Sequence, residues 1–143
     1  MSILLQELES SAAHATQAAQ TEAPRVRRTV LLAEDDQALR RYLEVILLRA
    51  GYEVLTAADG LEAMKALLSN TVDAVVTDAI MPHLSGPELC RFLRKHPLLK
   101  ETPVLLLSGT DSPAHDGDVG ADLYLSKPVG AEVLSASLAR LLA

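Results

Sequence analysis

Four places in the sequence put charged or hydroxyl chemistry at the end of a short apolar run. Glu34, Asp35 and Asp36 follow TVLLA (29–33), Asp78 closes AVVTD (74–78), Ser108 closes PVLLLS (103–108), and Lys127, with Pro128 behind it, comes just after LYL (123–125). Carboxylates converging on one mouth repel one another unless a hard cation holds them, and an all-oxygen set suits Mg2+. Lys127, placed before a proline and opposite such acids, reads as a functional cation rather than a surface lysine.

The runs that carry these residues, together with EVLTA (53–57), are β-prone and lack strict apolar/polar alternation. That pattern suits strands of a parallel sheet covered on both faces. Helical patterns alternate with them. Leu39, Tyr42, Leu43, Ile46, Leu47 and Ala50 recur at the spacing of one helical face, and Gly51 supplies a stop. A second helix follows Asp59, a plausible N-cap, with Leu61, Met64 and Leu68 expected inward. A third follows Gly86 and Pro87, with Leu89 and Leu93 inward, and ends near His96. A last helix spans about 130–142 on Leu134, Leu138 and Leu141. Strands alternating with helices imply right-handed crossovers and an α/β fold with a doubly wound, five-stranded parallel sheet. Ligands of such sheets sit outside the carboxyl ends of the strands, where the four polar positions fall.

Composition narrows the function classes. The chain has 143 residues, 49% apolar and 22% charged, with a net charge of -6. One domain with a full core is the default for such a chain. Its apolar runs are far short of the roughly 20 residues that span a bilayer, and the N-terminus carries no basic signal-peptide region. A cytoplasmic protein with no membrane span is expected. Acidic balance argues against direct nucleic-acid binding, which requires a basic face. A single cysteine, Cys90, excludes an internal disulfide and reads as a small core residue. Residues 1–28, rich in Ala, Gln, Ser and Glu, are expected to form an extension, disordered or partly helical. Residues 29–143 form the domain.

The segments LLAEDDQALR, VVTDAIMPHLSG, LLLSG and LSKP, in that order, closely resemble the receiver domain of response regulators over residues 29–143. The resemblance implies a flavodoxin-like fold, a phosphoacceptor at Asp78, and Mg2+ held by Glu34, Asp35, Asp78 and the backbone carbonyl of Ile80. It further implies a hydroxyl switch at Ser108, an aromatic switch at Tyr124, and Lys127 beside the phosphoryl group, with a cis Lys127–Pro128 bond. The donor would be a histidine kinase or phosphotransfer protein, the output a protein contact with an unidentified downstream target, and a homodimer is allowed. These roles have a physical basis. A carboxylate nucleophile needs in-line placement and neutralised phosphoryl oxygens more than an acid or base, and Mg2+ and Lys127 would supply that charge. Ser108 would donate to the arriving phosphoryl oxygen and bias a two-state loop.

Other readings compete for particular residues. Asp36 is read as the N-cap of the helix starting at Gln37 rather than a metal ligand. His83 is read as an exposed loop residue. A small aspartyl-phosphate phosphatase would need a second aspartate two residues after the nucleophile, where Ile80 stands, so enzymatic turnover is not expected. A phosphorelay shuttle without its own output is the alternative to a switch, no output domain being expected after the last helix. Only thirteen residues, TDSPAHDGDVGAD (110–122), join the last two strands, a few short of the family's usual spacing. At most about two helical turns, capped by Ser112, are expected there.

Overall fold

The computed structural model describes residues 27–109 and 120–143. The extension up to Val26, and the turns expected after Ser108 with their Ser112 cap, lie outside the described residues.

Five strands form one parallel sheet: β1 (Thr29–Ala33), β2 (Glu53–Ala57), β3 (Ala74–Asp78), β4 (Val104–Ser108) and β5 (Leu123–Ser126), in the order β2-β1-β3-β4-β5. Around them run α1 (Gln37–Arg49), α2 (Gly60–Ser69), α3 (Gly86–Lys95) and α4 (Ala131–Leu142). Alternate side chains of each strand point to opposite faces, so the apolar runs build two cores. Leu31, Ala33, Val75 and Leu106 pack with Ala63 and Leu67 of α2 and with Leu89, Cys90 and Leu93 of α3. Val30, Leu32, Val76, Leu105 and Leu107 pack with Leu43, Ile46 and Leu47 of α1 and with Leu134 and Leu138 of α4. Each fully buried leucine contributes roughly 1.5–3 kcal/mol of transfer free energy.

Helix starts follow their caps. Asp36 accepts from the Leu39 amide, Asp59 from the Glu62 amide, and Ser85 with Glu88 forms a reciprocal capping box ahead of Pro87. Gly51 follows α1 with φ +100°, the left-handed stop that glycine supplies cheaply.

Two expected faces need correction. On α1, Tyr42 is 49% exposed and Ala50 is exposed, because the narrower stripe Leu43–Ile46–Leu47, with Leu39 partly buried beside it, packs into the core. On α2, Leu61 and Leu68 lie outward at 41% and 58% exposure, and Gly60, Ala63 and Leu67 line the inner face. The reason is Gly60, where a Cβ would overlap the carbonyl oxygen and Cβ of Leu84. A helix pressed that closely onto the loop after β3 must present its smallest residue inward, which rotates Leu61 and Leu68 away.

Because β1 pairs with both β2 and β3, the winding reverses between β1 and β3. The crevice beyond their carboxyl ends is the topological switch point, where such sheets place ligands.

Candidate functional site

Glu34 leaves β1 with its amide bonded to the Ala57 carbonyl at 3.0 Å, which carries it one step past the strand while it stays 1% exposed. Its Oε2 accepts from the Asp36 amide at 3.1 Å, and its own carbonyl accepts from Arg40 Nη1 at 2.8 Å. Asp35 is exposed beside it. On the neighbouring strand Asp78 is 6% exposed, and its Oδ1 accepts from the Ala79 amide at 2.9 Å. The loop beyond is fitted closely at Gly86, where a Cβ would overlap the Asp78 carbonyl.

Lys127 enters from the opposite side. Its amide donates to the Ser108 carbonyl at 2.8 Å, extending the β4–β5 pairing, and its bond to Pro128 is cis. The ammonium lies 2.9 Å from Asp78 Oδ1 and 3.4 Å from Glu34 Oε1. The first contact is a charge-assisted hydrogen bond. The second is an ion pair without hydrogen-bond geometry, which leaves Glu34 Oε1 as a buried oxygen with no hydrogen-bond partner among the described residues.

Burial, together with the nearby Asp78 charge, raises the Glu34 pKa above the ordinary carboxylate value, although the Asp36 amide and Lys127 pull it down. For Lys127, burial is the largest single influence and disfavours the charged form. The hydrogen bond and charge of Asp78, with the charge of Glu34, outweigh it, and the net shift is upward. The lysine is held cationic by the acids it faces.

Glu34, Asp35 and Asp78 each offer a carboxylate oxygen, all within 4.8 Å of one another. An octahedral Mg2+ with oxygens at roughly 2.1 Å holds adjacent ligands roughly 3 Å and opposite ones roughly 4 Å apart, so the three carboxylates would draw in modestly around it. Glu34 Oε1 is the specific fit, since it is buried and meets the Lys127 ammonium only at 3.4 Å without a hydrogen bond, which leaves a lone pair that a closer cation would satisfy. The acidic triad is thus consistent with a Mg2+ site, and every expected side-chain ligand lies in it.

Ser108 is 4% exposed at the end of β4, one residue beyond Leu107, which is in register with Asp78. Ile80, two residues after Asp78, is 68% exposed. Tyr124 pairs with Leu106 and packs, half-buried, against the α2/α3 core. Asp36 is spent on capping α1, as expected.

Three participants were missed from sequence. Arg40 braces the acidic turn. Its position six residues after Glu34 gave only a helix-surface signal. Arg94 donates to the carbonyls of Gly120, Lys100 and Thr102 and to Asp122 Oδ2, at 2.7–2.9 Å, and so pins the entry to β5. His83, read as merely exposed, does have a 64% exposed side chain, but its Nδ1 lies 2.9 Å from Asp59 Oδ2. No helix among the described residues is long and apolar enough to cross a membrane.

Comparison with known proteins agrees with this geometry. The profile of the response regulator receiver domain matches residues 30–139. Response regulator MprA of Mycobacterium sp. (strain KMS) is 41% identical over 116 residues, covering 79% of this chain and 50% of its own length. The chain therefore spans about half the length of the curated relatives of this kind that it matches. Among solved structures, the chemotaxis response regulator CheY4 of Vibrio cholerae superposes with a TM-score of 0.75 at 34% identity, covering 82% of this chain and 100% of that one. The receiver domain of the sensor histidine kinase PA1611 of Pseudomonas aeruginosa, solved with a magnesium ion coordinated in its active site cleft, gives 0.73 at 28% identity, covering 82% and 98%. With a β2-β1-β3-β4-β5 sheet, an acidic triad at its switch point and these relatives, the chain belongs to the response regulator receiver domain family, whose members are signalling phosphoacceptors rather than enzymes.

Proposed function

We propose that Asp78 accepts a phosphoryl group from a phosphohistidine on a histidine kinase or phosphotransfer protein, and that the modified chain switches a contact with a downstream protein. The observation that carries this reading is Lys127 Nζ at 2.9 Å from the acceptor carboxylate, opposite an acidic triad with an orphaned buried oxygen. In the step, an Asp78 oxygen attacks phosphorus, the P–N bond breaks, and the leaving imidazole carries away the electron pair and takes up a proton. An acyl phosphate results. Mg2+, when held by Glu34, Asp35, Asp78 and the Ile80 carbonyl, would neutralise phosphoryl oxygens as charge develops.

Lys127 does the same from the other side and keeps Asp78 oriented. In this reading the Ser108 hydroxyl donates to the phosphoryl group and draws the end of β4 inward, and Tyr124 is the aromatic group that follows it. A phosphorelay shuttle, passing the group onward, uses the same residues. Residues 29–143 form the receiver unit in this reading, with the preceding residues an extension.

The test is incubation with acetyl phosphate and Mg2+, read by intact mass. Wild type is expected to gain one phosphoryl group and Asp78→Asn none, with circular dichroism unchanged. A mutant phosphorylated as fully as wild type would remove Asp78 from the role. Histidine-kinase phosphotransfer followed by capture of partners with the two forms would then separate switch from shuttle.

A further inference from the structure

The loop from Ala79 to Ser85, which leaves the acceptor and feeds α3, is seated on the N-terminus of α2 at two adjacent points. One is the contact of Gly60 with Leu84, too close to admit a Cβ. The other is His83. This residue has φ 69°, a left-handed conformation that side-chain-bearing residues rarely hold, and it centres a three-residue turn closed by the Leu84 amide on the Pro82 carbonyl at 2.7 Å. A strained turn of this kind persists when its surroundings over-determine it. Against the ring of His83 lies Asp59 Oδ2, 2.9 Å from Nδ1.

Asp59 is itself immobilised. Its other oxygen caps α2 by accepting from the Glu62 amide at 2.8 Å, and Glu62 Oε1 reaches back to the Ala58 amide at 2.6 Å. The two oxygens do separate work, one closing the helix and one holding the loop. The amide of Glu62 and the side chain of His83, in that order, hold the Asp59 pKa below its usual value. The same loop carries Ile80, whose carbonyl is the backbone ligand in the reading above.

We propose that His83, moored to Asp59, is a positioning residue that holds the loop 79–85 in its metal-ready arrangement before the cation arrives. The proposal rests on the metal site put forward under Proposed function. Without the mooring, the turn relaxes and cation binding has to organise the loop, so affinity falls while the ligands themselves are intact.

Four variants of the full chain test this. Asp59→Ser keeps a capping oxygen and leaves the loop sequence untouched, but lacks the reach to His83. His83→Gly keeps the positive φ and loses the side chain. His83→Asn also tolerates positive φ and places an amide N–H near the Nδ1 position, so it should rescue. The double variant Asp59→Ser/His83→Gly completes a cycle. Amide exchange at Leu84 and Gly86 is measured in metal-free protein, and Mg2+ affinity by calorimetry.

Asp59→Ser and His83→Gly are each expected to speed exchange and weaken Mg2+ about fivefold, a loss of the size of one partly exposed charge-assisted hydrogen bond. The double variant should fall no further, and His83→Asn should stay near wild type. Wild-type exchange or wild-type Mg2+ affinity in Asp59→Ser would overturn the proposal, whatever His83→Gly does. If wild type itself takes up no Mg2+, the metal reading fails, and unchanged exchange in Asp59→Ser would still sink the mooring on its own.

Discussion

Replacing Lys127 with methionine removes the cation that holds two acids in place and leaves a side chain of similar length. The ammonium lies 2.9 Å from Asp78 and 3.4 Å from Glu34, which at an effective dielectric of 20 corresponds to gross attractions of about 6 and about 5 kcal/mol. Desolvation of three charges cancels most of that. The useful measure is the cost of removing one partner from a buried pair, roughly 3–5 kcal/mol. Glu34 is almost wholly buried, whereas the Lys127 side chain is 23% exposed and Asp35 is open to water, so solvent screening places the loss near the lower end, about 3 kcal/mol. Against a typical domain stability of roughly 5–15 kcal/mol this is a large effect. Urea melts in EDTA and in excess Mg2+ would measure it. Because a bound cation restores the missing positive charge, the deficit of Lys127→Met should shrink markedly in Mg2+. A variant within about 0.5 kcal/mol of wild type in EDTA, the ordinary scatter of surface substitutions, would refute the electrostatic account. So would a loss of equal size in both media, because the lysine would then act only through packing.

Ile80, exposed and apolar two residues after the proposed acceptor Asp78, offers no group to orient an attacking water, so Ile80→Asn should speed decay of the phosphorylated form about tenfold, well below the effect of a full general base. An unchanged half-life of the labelled protein would count against that. Burial pushes the Cys90 thiol up to about 11 from 9.0. The unfolded thiol therefore ionises first, and its contribution to stability, complete below pH 9.0, is lost as pH rises toward about 11. Alkylation at pH 8 should track global unfolding, and fast labelling of the native chain would show the site to be open. Gly60→Ala should lower the melting temperature through a clash of roughly 1–3 kcal/mol with Leu84, despite the better helix propensity of alanine. A rise in melting temperature would mean that the loop yields.

Much of this protein is legible in its sequence. The five strands, the caps at Asp36 and Asp59, the stop at Gly51 and the burial of Cys90 depend on local periodicity and on residue-specific backbone chemistry, which a linear string carries intact. The site was legible for a further reason: in a parallel sheet each strand's carboxyl end lies on one edge, so Glu34, Asp35, Asp78, Ser108 and Lys127 were assigned to one mouth by topology alone. Tertiary packing decided the rest. Periodicity marked a stripe on α2 but not its rotation, because Leu61 and Leu68 were turned outward by a contact between Gly60 and Leu84, residues 24 apart in number. The partner of His83 was invisible for the same reason, since a hydrogen bond from a β3–α3 loop to a helix cap depends on where two loops cross. The orphaned oxygen of Glu34 belongs to that class too. Which of its two oxygens meets the Asp36 amide and which faces Lys127 and the acids is a matter of ångströms, set by three strands meeting at one crevice.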